Sequence, residues 1–128
     1  MNKLFTYAPT GARLLLGLIF TVFGLNKFFQ FIPMPPMEGV AAEYMGGLAA
    51  TGYFFPLLGA TEVVVGVALL LNRFTALALV ILAPITVHIA AFHILDPSGL
   101  PMAVVILLLH LGLAWDLRAA YRPLLQSK

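Results

Sequence analysis

The 128-residue chain contains no cysteine, so it can form no disulfide, hold no metal through thiolates and offer no thiol nucleophile. Any redox work must therefore enter through a bound cofactor or another subunit. Charge is nearly as scarce. Only 9% of the residues are Asp, Glu, Lys or Arg, against 62% hydrophobic, and the mean hydropathy is +1.02. Seven basic and five acidic side chains cannot build the charged shell of a soluble domain, which excludes an isolated soluble enzyme. The isoelectric point near 9.2 reflects a formal charge of only +2. With no basic run there is no phosphate-binding stripe, and nucleic acid is not an expected partner. No fixed-period repeat or low-complexity linker breaks the chain, so residues 1–128 read as one domain.

What the sequence has instead is apolar length. Four stretches run from Gly11 to Ile32, Phe54 to Leu71, Phe74 to Leu95 and Leu100 to Leu117. Each is close to the roughly 20 residues that cross a bilayer at about 1.5 Å per residue. The expected fold class is all-α, an integral membrane four-helix bundle. Lys3 ahead of the first stretch imitates a signal peptide, but the stretch is too long for that and no small-residue cleavage site follows Phe31, so it reads as a retained helix. Lys3, Arg13, Arg73, Arg118, Arg122 and Lys128 fall at one side of the bundle, while Glu38, Glu43 and Asp96 fall in the opposite loops. By the positive-inside rule both termini are expected in the cytoplasm, with Tyr7, Trp115 and Tyr121 at the inner interface and Tyr44 and Tyr53 at the outer one.

The outer loop from Pro33 to Tyr53 is too long for a plain turn. Pro35 and Pro36 preset a helix start and Gly52 supplies a stop, which predicts a short helix near Glu38 to Thr51 between helices 1 and 2. Val40, Tyr44, Met45 and Leu48 share one side at helical spacing. Two roles fit: a cap over the outer mouth of the bundle, or an interfacial helix resting on lipid.

Chemistry in such a chain must come from polar groups at membrane depth, which are expensive there and face the bundle interior or a wet cavity. Glu62 lies about 12 Å inside the outer end of helix 2, and Gly59 and Gly66 share its face. On helix 1, Gly17, Thr21, Gly24 and Lys27 form one stripe, with Lys27 at a depth comparable to Glu62. An ion pair between Lys27 and Glu62 would offset much of the penalty of holding either charge in low dielectric. The alternative is an outward-snorkelling Lys27 and a protonated, packing Glu62. His88 on helix 3 sits near the depth of Glu62, and His110 on helix 4 lies slightly deeper. A carboxylate beside imidazoles suits proton transfer or a hydrogen bond to a quinone carbonyl, so Lys27, Glu62, His88 and His110 are the candidate pocket or ligand-binding residues. An interhelical hydrogen bond is an equal alternative for His88 and the plainer role for His110. His88 and His93 are five residues apart and cannot form an i, i+4 helical metal site, so no metal is expected and His93 reads as a rim residue. Pro84, one turn before His88, cannot donate to the Val80 carbonyl and should bend helix 3. Arg13 and Asp116 read as boundary anchors, with Arg13 snorkelling or Asp116 pairing with Arg13 or Arg118.

The order of these motifs resembles the DoxX family of small four-helix membrane proteins over nearly the whole chain. The resemblance rests on Arg13-Leu-Leu-Leu-Gly-Leu-Ile-Phe, Gly24-Leu-Asn-Lys27-Phe, the outer Ala-Glu-Tyr-Met helix, Pro56-Leu-Leu-Gly-Ala-Thr-Glu62-Val-Val-Val-Gly66, the basic turn at Arg73 and a third helix bearing His88. It implies a multi-pass protein of a bacterial-type inner (plasma) membrane, associated with membrane redox chemistry: a subunit that seats a quinone or docks a redox protein partner carrying the sulfur or thiol chemistry that a cysteine-free chain lacks. Catalytic residues do not transfer from it. A permease for a small solute, proton or metal ion, with Glu62 and His88 lining the path, and a non-catalytic membrane scaffold are the alternatives; a homo-oligomer is compatible with each.

Overall fold

The structure is a computed structural model that describes residues 3–33 and 36–127, with side chains from Tyr7 onward. Pro35 and Lys128, named among the sequence expectations, lie outside the described residues. The chain is 82% helical, and no strand occurs among the described residues. Among the described residues six α-helices follow in order: α1 Lys3–Phe29, α2 Gly39–Ala50, α3 Phe54–Leu70, α4 Thr75–Phe92, α5 Leu100–Asp116 and the single turn α6 Arg118–Tyr121. Short 3-10 turns cover Pro97–Gly99 and Arg122–Leu125.

Three segments, Tyr7–Phe29, Thr75–Phe92 and Pro97–Asp116, are long and apolar enough to cross a membrane alone, and α2 with α3 passes the same measure as a pair bent by 89°. The 17 residues of α3 give about 25 Å of helix, at the short end of a spanning length. The four long helices close a ring in which α1 packs on α3 and α5, and α4 packs on the same two. The helix α1 starts well before Gly11 because hydropathy marks only the bilayer-length part, whereas backbone hydrogen bonding extends the helix through Pro9 into the polar start of the chain.

Leu16 and Phe20 of α1, Val65 and Leu69 of α3, Ala78, Leu79 and Leu82 of α4, and Ile106 and Leu113 of α5 form the buried core. Their i, i+3 and i+4 spacing puts one stripe of each helix inside. The other faces stay equally apolar: Leu18, Val64, Val87 and Leu108 are each more than half exposed. A helix that is hydrophobic all round belongs in lipid, not water.

The α1 and α3 backbones meet along glycine. A Cβ on Gly17 would come within 2.9 Å of the Gly66 carbonyl oxygen, and one on Gly24 within 2.8 Å of the Gly59 carbonyl oxygen. The pairing of 17 with 66 and of 24 with 59 makes the two helices antiparallel. At the far end of this seam, Arg13 Nη1 donates to the carbonyl of Leu69 and, at 3.3 Å, to that of Leu70. These belong to the last turn of α3, whose carbonyls have no helical donor. Arg13 thus caps α3, and neither snorkels freely nor pairs with Asp116. Arg118 likewise turns to Trp115, lying 4.6 Å above its ring and donating to its carbonyl.

The four-helix path gathers Arg73, Arg118 and Arg122 at one end of the bundle, the basic end, and Glu38, Glu43 and Asp96 at the other, the acidic end. At the acidic end α2 is bounded by Gly39 and Gly52, both with positive φ. Its inner face is Ala41, Tyr44, Met45 and Leu48; Val40, expected inside, is 63% exposed, because Ala41 is the residue that completes the i, i+3, i+4, i+7 stripe with the other three.

Candidate functional site

The deepest polar group is Glu62, on the α3 face between Gly59 and Gly66. The register of the glycine seam sets Thr21 opposite it, one to two turns below Lys27 on α1. Side chains on a helix lean toward its N-terminus. In an antiparallel pair that sends Lys27 and Glu62 toward each other across the offset, and Lys27 Nζ reaches 2.5 Å from Glu62 Oε1. The Lys27 side chain is 22% exposed and that of Glu62 only 3%. The contact is close, yet no hydrogen bond of regular geometry reaches the buried Oε1 among the described residues. Thr21 does not supply one; its hydroxyl donates back to the Gly17 carbonyl at 2.7 Å. Glu62 is buried against the glycine seam, while Lys27 reaches it from a partly exposed position.

The two candidate histidines have other partners. His88 Nε2 lies 2.9 Å from Tyr44 Oη, and the two rings stack with centroids 5.6 Å apart. Phe92, one turn on, approaches Tyr44 at 6.0 Å. This exposed aromatic cluster ties α2 to the acidic end of α4, while α2 also packs on α3. His93 is a rim residue at the end of α4, its Nδ1 2.7 Å from the Asp96 carbonyl oxygen. No hydrogen bond or ion pair joins His88 or His110 to Glu62 among the described residues. The carboxylate and the imidazoles are separate polar sites.

His110 is buried between α4 and α5, where its Nδ1 lies 2.8 Å from the hydroxyl of buried Thr86. When Thr86 donates to Nδ1, the ring proton resides on Nε2, and the Leu79 backbone stands beside the ring as its second hydrogen-bond partner. His110 also lines a lipid-facing cleft of about 190 Å³ with Leu79, Val80, Ala83, Ala114 and Tyr121. Ala83 and Ala114 leave the space; the walls are otherwise apolar. Tyr121 closes the basic end by donating from its hydroxyl to the Ala76 carbonyl at 2.9 Å. Burial pushes the Tyr121 phenol above its ordinary value of 10.0. A larger cleft of about 260 Å³ between α3 and α4 has Thr61 as its polar side chain, and that hydroxyl already donates to the Leu57 carbonyl. The smaller cleft is the one with chemistry at its wall.

Sequence reasoning named His110 but not Thr86 as its partner. The signal was a hydroxyl at membrane depth on the neighbouring helix, and choosing it required the relative rotation of α4 and α5. Tyr44 was placed at an interface on amphipathic grounds, with no indication that its hydroxyl would find His88.

The family model described as DoxX matches residues 8–96. The chain belongs to the DoxX family. The matched part of this DoxX protein runs from α1 past the end of α4, so it contains Lys27, Glu62, Tyr44 and His88, whereas His110 and the α5 wall of the cleft lie beyond it. No curated protein and no solved structure matches the chain.

Proposed function

We propose that this DoxX-family protein is the quinone-binding membrane subunit of a redox system, working with a separate redox protein in a bacterial-type inner membrane with both termini in the cytoplasm. The observation that carries the reading is the α4/α5 cleft: a lipid-facing, almost wholly apolar space with one imidazole at its wall, held in a fixed orientation by Thr86. Small-molecule sites combine such apolar walls with few, well-placed polar groups. At about 190 Å³ the cleft is below the roughly 300–1,000 Å³ of drug-sized sites, which matches a single planar ring entering from the bilayer. A bound quinone supplies two-electron, two-proton redox chemistry, converting between quinone and quinol. The chain's own part is to admit the ring between Ala83 and Ala114, set it against the His110 imidazole and exclude water. Electrons must come from the partner, since the chain has no thiol. The orientation rests on Arg73, Arg118 and Arg122 gathering at one end.

Trp115 is the chain's single tryptophan and adjoins Ala114 of the cleft, so its fluorescence is a built-in probe. In nanodiscs a short-chain quinone is expected to quench Trp115 saturably above its partition background, and His110→Ala should remove the saturable part. Thr86→Val should weaken it, because the ring loses its fixed tautomer. Absence of saturable quenching in the unsubstituted protein rejects the quinone reading, and a solute or proton flux in proteoliposomes without quinone would replace it with a permease.

A further inference from the structure

Three arginines collect at the basic end of the bundle with no carboxylate to neutralise them. Arg73 lies in the turn between α3 and α4, Arg118 opens α6 and Arg122 follows it, and all three side chains are exposed. Among the described residues the one ion pair is Lys27–Glu62, so even the neighbouring exposed Asp116 does not pair with them. Arg13, by contrast, is taken up by the carbonyls that end α3.

The fold holds this group in place. The Tyr121 hydroxyl donates to the Ala76 carbonyl at 2.9 Å, which ties the tail after α5 across the basic end to the first turn of α4, just beyond Arg73. Arg118 lies 4.6 Å over the Trp115 ring and spends one donor on the Trp115 carbonyl, with further guanidinium donors to spare. The surface around the arginines is apolar: Phe74 is 78% exposed, Leu124 69% and Leu125 83%. Large apolar groups of this kind are unsuited to water or to a soluble acidic protein. They match the headgroup boundary of a bilayer, where rings and leucines enter the acyl region and arginines stay among the phosphates.

We infer that Arg73, Arg118 and Arg122 form a docking surface for an anionic phospholipid, such as phosphatidylglycerol, in preference to a zwitterionic one. The phosphodiester oxygens accept charge-assisted hydrogen bonds from the guanidinium groups, and an anionic headgroup brings no cation of its own to oppose them. Each basic side chain at a membrane surface strengthens attraction to anionic lipid by about fivefold. The inference is independent of the quinone reading, since it needs no occupant in the α4/α5 cleft.

Trp115, the single tryptophan, sits under Arg118 and reports on the lipid at this end. Phosphatidylcholine nanodiscs are prepared with a minor fraction of phosphatidylglycerol brominated on its acyl chains or, separately, of phosphatidylcholine brominated in the same way. Bromine quenching of Trp115 then gives the relative binding of the two lipids. At low salt the unsubstituted protein should prefer phosphatidylglycerol by about fivefold or more. The combined Arg73→Gln, Arg118→Gln and Arg122→Gln variant should fall to within about twofold of parity, and lysine at the same three positions should restore most of the preference, which separates lost charge from a misfolded chain. Equal quenching by the two lipids in the unsubstituted protein overturns the inference, and so does a preference that the glutamine variant keeps. Excess glycerol phosphate should leave the preference unaltered; its loss would assign the surface to a soluble phosphate ester and overturn the lipid.

Discussion

The α1/α3 and α4/α5 pairs both run antiparallel and both bury a polar contact, yet they are built to opposite ends. In α1/α3, glycines spaced seven residues apart on each helix bring backbone onto backbone, and Lys27 closes on the buried Glu62 beside them. In α4/α5, alanine takes the place of glycine at the gap, the polar contact is the neutral Thr86–His110 hydrogen bond, and a cleft stays open beside it. Close approach makes a staple, and a slightly wider separation leaves a cleft. Depth and polarity, which single out both pairs in the sequence, do not distinguish the two roles. Backbone separation does.

The strongest way to test that contrast is to break the staple. Glu62→Gln keeps the shape and leaves the Lys27 ammonium without its counter-charge, and breaking a buried pair costs roughly 3–5 kcal/mol. Thermal melting in detergent should fall accordingly, and Lys27→Met in the same chain should recover most of it, with a coupling visible in the double-mutant cycle. Equal melting of Glu62→Gln and the unsubstituted protein would mean that the pair holds nothing together. A smaller effect is expected from Gly66→Ala. The added methyl meets the Thr21 hydroxyl and comes within 2.7 Å of the Thr21 backbone nitrogen, so overpacking should destabilise by about 1–3 kcal/mol despite alanine's better helix propensity. A matched change in the looser pair, Ala114→Gly, is the control that should leave α1 and α3 in contact. Crosslinking between cysteines introduced on their lipid-facing edges reads that contact.

The smallest expected effect lies at the closed end of the looser pair. Tyr121→Phe removes one hydrogen bond to Ala76 and should lower stability by about 0.5–1.5 kcal/mol at neutral pH. The pH dependence has a definite sign. Because the folded phenol titrates above 10.0, its contribution is fully present below that value and is lost as pH rises through the raised folded value. Melting temperature followed into alkali should therefore decline more steeply for the tyrosine form than for the phenylalanine form, and parallel curves would contradict the assignment.

The stripes that make the staple were visible in the sequence because glycine at i and i+7 beside a lone acid has few other uses in an apolar helix. Gly17, Thr21, Gly24 and Lys27 on one strip and Gly59, Glu62 and Gly66 on another define two faces, and only antiparallel pairing brings them into register. The all-α membrane class followed from hydropathy alone. The grouping of His88 with Glu62 by helical rise came from depth, and depth carries no information on rotation about the helix axis. Rotation gives His88 to Tyr44 and His110 to Thr86. The choice of Val40 over Ala41 in α2 has a related cause: the smaller residue is the one that allows the helix to sit close. Pro84 was legible as a missing donor, but the cleft beside it depends on what α5 presents opposite.

The glycine seam also bears on how the protein is made. Both of its helices are complete within the first 70 residues of the chain, whereas the anchor for α2, His88, lies on α4 and is synthesised later. During insertion the α1/α3 pair therefore has its full set of interlocking surfaces before the second pair exists, while α2, already able to pack on α3, gains its Tyr44–His88 contact only once α4 is made. Biogenesis and stability then share one template: the half of the molecule closed by backbone contact is the half that can form first, and the half left to assemble on it carries the His110 cleft.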